Sequence, residues 1–84
     1  MTPALMVRGE RVNVCEEGGN WHVDGSVYQG GLGWLHATWL EFRLPGMPLW
    51  ADDATPRAQV RAMYRFIAHY RIAWPDQHGC TGGY

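Results

Sequence analysis

Cys15-Glu16-Glu17-Gly18-Gly19-Asn20-Trp21 is the stretch that organises this 84-residue chain. Two carboxylates stand beside a cysteine, immediately ahead of a glycine pair. A Gly-Gly step after helix-compatible residues marks a helix C-terminus, because glycine takes the left-handed cap conformation without steric cost. Upstream, Thr2-Pro3 has the form of an N-cap followed by a first-turn proline. A helix is therefore expected from Pro3 or Arg8 to Glu17, weakened in its middle by Gly9. Val12, Cys15 and Val14 are its expected inward residues.

Downstream, residues 20–31 are rich in Gly, Asp, Ser, Tyr and Val. Asp24-Gly25 is a hairpin-turn signal, so a short irregular hairpin or loop is expected, ending at Gly30-Gly31. Residues 32–42 return to helical spacing, with Leu35, Trp39 and Phe42 on one face. Pro45, Gly46 and Pro48, then Asp52-Asp53, make residues 43–54 a loop. Thr55-Pro56 repeats the cap-and-proline signal. Val60, Met63, Tyr64 and Ile67 follow at i, i+3, i+4 and i+7, opposite Arg57, Arg61 and Arg65. This helix should end near Arg71, and Pro75 opens a final loop over 75–84.

The composition limits the class. The length allows one domain, residues 1–84. Apolar residues make up 46% of the chain, too many for a disordered segment. Seven basic residues, all Arg, nearly balance eight acidic ones, and no basic run is present. This balance gives no broad attraction to nucleic acid. No apolar run is long enough to span a bilayer, and the first residues lack the pattern of a signal peptide. Five Trp and four Tyr are many for this length and serve either as core or as the lining of a groove. Trp39 reads as core, Trp21 as part core and part groove wall.

Two cysteines, Cys15 and Cys80, share no CxxC spacing, which removes zinc-ribbon and thioredoxin readings. A disulfide between them would close a loop of about 65 residues, worth roughly 4 kcal/mol in the chain-entropy model. It would imply an oxidising environment. The alternative is two separate buried thiols. His22, His36, His69 and His78 share no metal-ligand spacing, so no metal or other cofactor is expected.

Taken in order, these elements resemble the resuscitation-promoting-factor family, small lysozyme-like transglycosylase domains of actinobacteria and their phages. The resemblance runs through Cys15-Glu16-Glu17-Gly18-Gly19-Asn20-Trp21, Tyr28-Gln29-Gly30-Gly31-Leu32 and Thr38-Trp39. It continues through Ala54-Thr55-Pro56-Arg57-Ala58-Gln59 and ends with Pro75-Asp76-Gln77-His78-Gly79-Cys80. It implies an α+β, mainly helical, lysozyme-like domain with one disulfide, Cys15–Cys80. It also implies that Glu16 is the catalytic acid/base and that Asn20, Trp21, Tyr28 and Thr38 contribute to a substrate groove.

Elementary chemistry agrees with that role. A carboxyl in the last turn of a helix, beside a like charge and near aromatic rings, has its ionised form disfavoured. A general acid protonating a glycosidic oxygen needs this. Consecutive helical residues point about 100° apart, so only one of Glu16 and Glu17 can face a groove. Alignment on the cysteine selects Glu16, and Glu17 stands where the family has Ser. Gly33 and Leu35 stand where the family commonly has Gln and Thr, and Gly9 where it has an aromatic residue. Asp24 reads as a turn residue, and neither Asp52 nor Asp53 has a spacing that marks a nucleophile.

The implied activity is cleavage of the N-acetylmuramic acid–β-1,4–N-acetylglucosamine bond of peptidoglycan, as a lytic transglycosylase. The alternatives are hydrolysis at the same site, or a non-catalytic wall-binding or structural module that kept the fold. The expected partner is the glycan strand, with no nucleic acid or membrane, and the expected state is a monomer. The expected location is the cell wall, the extracellular space or a phage particle.

Overall fold

The computed structural model of the chain describes residues 1–74. Helix α1 spans Pro3–Glu17, strands β1 and β2 span Tyr28–Gln29 and Trp34–Leu35, and helices α2 and α3 span His36–Phe42 and Pro56–Tyr70. A single 3₁₀ turn, Ala51–Asp53, precedes α3. The class is α+β and mainly helical, as expected. The expected final loop over 75–84, and Cys80 within it, lie outside the described residues.

Both long helices begin where the cap signals placed them. Thr2 Oγ1 accepts from Leu5 N at 3.3 Å, and Thr55 Oγ1 accepts from Ala58 N at 3.1 Å. Each satisfies a first-turn N–H that has no helical partner. Helix α1 ends at Gly18, whose φ of 62° is the left-handed cap and whose N–H reaches Val14 O at 3.0 Å. Helix α3 closes in the same way at Arg71, with φ 54°.

The inward face of α1 differs from the expected one. Gly9, Val12 and Asn13 are buried, whereas Val14 is 64% exposed and Cys15 is also exposed. The buried residues form an i, i+3, i+4 ridge. Its next member, at i+7, is Glu16, which is half-buried. Val14 and Cys15 point more than 100° away from that ridge. The ridge runs against α3. A Cβ at Gly9 would overlap the Val60 side chain, so glycine there lets the two helices approach closely.

The segment after Gly31 also departs from expectation. Residues 34–35 are a strand rather than a first helical turn. Tyr28 pairs with Leu35 and Gln29 with Trp34, antiparallel. Gly33 carries φ 73°, a conformation a helix cannot contain, and so delays α2 to His36. Leu35 consequently faces outward, 38% exposed, while Trp34 enters the core with no exposure. The hairpin signal is realised: Asp24 bridges Gln29, and Gly25 N donates to Tyr28 O at 3.1 Å.

The core holds Val12, Leu32, Trp34, Trp39, Val60 and Met63, all essentially inaccessible. Trp34 and Trp39 meet edge to face at 5.5 Å, and Phe42 meets Phe66 likewise at 5.2 Å, joining α2 to α3. Trp74 is buried with its ring edge-on to Tyr64 at 5.0 Å. The Arg65 guanidinium donates to the carbonyls of Phe42 and Arg43 at the end of α2. Those carbonyls have no helical partner of their own.

Candidate functional site

Two buried amides hold together the segments that carry the predicted site residues. Asn13, on α1, donates through Nδ2 to Asn20 O and Gly31 O, both at 2.9 Å. Gln59, on α3, accepts from Gly31 N at 2.7 Å through Oε1. Its Nε2 donates to Trp21 O at 2.9 Å and Ala54 O at 3.0 Å. The chain after the Glu pair and the Gly30-Gly31 turn are thus tied to both long helices. Gly31 has to be glycine: a Cβ would lie 2.5 Å from the Trp21 ring and 2.6 Å from Asn13 Nδ2.

Neither amide was singled out from the sequence for this work. Gln59 ends the stretch Ala54-Thr55-Pro56-Arg57-Ala58-Gln59 and is the fourth residue of α3. A polar residue at that depth on an otherwise apolar face was the available signal. Asn13 gave a similar one, lying on the face of α1 that also carries Val12.

Glu16 and Glu17 close α1, both half-buried. Glu17 lines an open cavity of about 400 Å³ together with Val23, Ser26, Val27 and Tyr28. Its carboxyl is held above the usual carboxylate range, first by burial and second by the charge of Glu16. Tyr28 shares this cavity with Glu17. Trp21 is half-buried against the Gly31 backbone. Asn20 accepts from His22 N through Oδ1 at 2.9 Å, which commits that oxygen to a local turn. Thr38 is half-buried on α2, beside the fully buried Trp39.

A second concavity, of about 340 Å³, lies between the hairpin and the 3₁₀ turn and is lined by Asp24, Trp50, Asp52 and Asp53. His22 Nδ1 bonds Asp52 O at 2.7 Å across this junction. Among the described residues no group of three His, Cys, Asp or Glu gathers as a metal site, and no helix is long and apolar enough to cross a membrane.

These features define a small, mainly helical α+β domain with a helix-terminal carboxylate pair and an aromatic-lined acidic groove. Among characterised proteins, the chain is similar to resuscitation-promoting factor Rpf1 of Corynebacterium glutamicum, at 34% identity over 68 residues. The alignment covers 79% of this chain and 35% of the relative, so the chain spans about a third of that protein's length. The similarity supports a resuscitation-promoting-factor-like family for this chain. No family model matches the chain. No solved structure matches it with significance.

Proposed function

We propose that the chain is a muralytic domain that cleaves the N-acetylmuramic acid–β-1,4–N-acetylglucosamine bond of peptidoglycan as a lytic transglycosylase. The carrying observation is the acidic pair at the end of α1, on a sequence similar to a resuscitation-promoting factor. Glu16 is the general acid/base, on the inward ridge of α1. It protonates the glycosidic oxygen as the bond from C1 breaks. It then takes the proton of the muramic acid 6-hydroxyl as that oxygen attacks C1, leaving a 1,6-anhydro ring and regenerating the acid. One carboxyl suffices because the substrate supplies its own nucleophile, unlike the two-carboxylate glycosidases.

Asn20, Trp21, Tyr28 and Thr38 line the glycan groove in this reading. The fold is of lysozyme type, residues 1–84 form one monomeric domain, and Cys15 pairs with Cys80. The domain works on the wall, outside the cell or from a phage particle. Hydrolysis at the same site, and wall binding without catalysis, are the competing outcomes.

A second reading exchanges the two glutamates. Glu17 lines the cavity with Tyr28, and burial favours its protonated form. Mass spectrometry of fragments released from purified peptidoglycan separates these readings. Anhydro-ended fragments from wild type and Glu17→Gln, but not from Glu16→Gln, support the main proposal. The reverse pattern assigns the acid to Glu17. Reducing ends mean a hydrolase. No fragments from any protein, with wall binding retained, mean a binding module.

A further inference from the structure

Trp50 is the most exposed tryptophan among the described residues. Trp34 and Trp39 are fully buried, Trp74 is buried, Trp21 is half-buried, and Trp50 is 44% exposed. It is nonetheless held. The His36 ring at the start of α2 stacks on it, with centroids 3.5 Å apart and planes 11° from parallel. The backbone behind it is fixed as well. Ala51 and Ala54 are buried, and His22 grips the Asp52 carbonyl.

This backed, exposed ring forms part of the wall of the 340 Å³ concavity, with Asp24, Asp52 and Asp53 around it. Asp52 Oδ1 is buried and has no hydrogen-bond partner among the described residues. A buried acceptor of this kind signals a missing donor. A flat apolar platform ringed by acceptors matches a pyranose, which has an apolar C–H face and hydroxyl donors around its edge.

We infer that Trp50, backed by His36, is a saccharide-stacking subsite, with Asp24, Asp52 and Asp53 accepting hydroxyl and amide protons from the ring. Its ligand is an uncharged N-acetylhexosamine unit. A free lactyl carboxylate on the ring would meet three acidic side chains, which disfavours an unsubstituted muramic acid in this position. The stack fixes the indole in advance, so little side-chain freedom is lost when sugar binds. Asp24 lines the same concavity as Trp50, so the hairpin turn contributes to the subsite. The inference rests on the glycan-directed reading above but concerns a different part of the surface from the Glu pair.

The test pairs Trp50→Ala and Trp50→Phe with Glu16→Gln and uses N-acetylglucosamine oligomers as the probe. Binding is followed by the indole N–H resonances in two-dimensional NMR, which read each tryptophan separately. The wild type and Glu16→Gln should shift the Trp50 resonance on titration. Trp50→Ala should weaken oligomer binding about tenfold. Trp50→Phe, which keeps a stacking face, should recover most of it. Unchanged far-ultraviolet circular dichroism in the variants excludes a folding effect. Equal affinity in wild type and Trp50→Ala, or shifts confined to other indoles, would overturn the subsite. Either result leaves the catalytic proposal standing, since that is decided by fragment release in Glu16→Gln.

Discussion

Removing the Gln59 amide should cost more stability than any other single polar substitution among the described residues. Gln59 is fully buried and makes three hydrogen bonds through its two amide atoms. Gln59→Leu keeps the volume, so no cavity contributes. It leaves the Gly31 N–H and the Trp21 and Ala54 carbonyls without this partner. A buried polar group deprived of its partner costs about 1–3 kcal/mol. The Gly31 bond is wholly buried and the Trp21 bond partly so. Allowing for relaxation, the sum is about 3–5 kcal/mol. A chain of 84 residues is expected to have a total stability of about 4–12 kcal/mol. The loss is therefore about a quarter or more of that total, and at the low end of the range it unfolds the variant outright. Urea denaturation followed by tryptophan fluorescence measures the loss directly. Gln59→Glu adds a control: it retains the acceptor for Gly31 N–H but turns a second oxygen toward two carbonyls. The new carboxyl has its folded-state pKa raised, so its neutral form, which can donate once, is the tolerated one. Gln59→Glu should then be most stable below the carboxylate range and lose stability as pH rises through the folded-state pKa. A loss under about 1 kcal/mol in Gln59→Leu, or no pH dependence specific to Gln59→Glu, would refute the reasoning.

Three further outcomes follow from the same geometry. Glu17 has its pKa raised by burial, so its folded-state contribution is most favourable below the carboxylate range and declines as pH rises through the raised pKa. Glu17→Gln should therefore match wild type at low pH and be slightly more stable, by well under 1 kcal/mol after solvent screening, near neutrality in urea titrations. Gly9→Ala should gain about 1 kcal/mol of helix propensity, yet its methyl would overlap Val60, so thermal denaturation should report a net loss of about 1–2 kcal/mol. Thr55→Ala removes the cap on Ala58 N and should cost about 1 kcal/mol by the same assay, with no change in fragment release.

What could be read from the sequence was what local chemistry decides. Thr2, Thr55 and Gly18 act within one helical turn, and each is found in its expected role. The α3 face behaves likewise, since Val60 and Met63 are buried. Residues 32–35 read differently because the apolar spacing continues smoothly through Gly33, whereas the backbone turns there with φ 73° and pairs Trp34 with Gln29. A period of three or four cannot register a single left-handed residue. Gly9 looked like a weak point in α1 because its neighbour on α3 lies 51 positions away in the chain. The His36–Trp50 stack and the Asn13 and Gln59 bonds have the same character. Each is a pairing between distant segments for which a single sequence carries no local pattern.

The site itself follows from how these distant pairings are arranged. Glu16 and Glu17 lie at the end of a helix, where the backbone leaves its regular hydrogen-bonding and would otherwise be free to fray. Asn13 lies one turn earlier on the same helix and bonds both the departing loop, at Asn20 O, and the Gly30-Gly31 turn, at Gly31 O. Gln59 bonds the same turn from the other side and adds Trp21 O. Two neutral amides, rather than charges, therefore set the distance between the carboxylate pair and the hairpin that carries Tyr28. Neutral groups can do this without adding a net charge beside the carboxyls. The environment of the pair is left to burial and to the charge each glutamate presents to the other, the two influences that raise the Glu17 pKa. A domain of this size has little core with which to position a functional group. This one uses two buried amides to place its acidic pair against the hairpin.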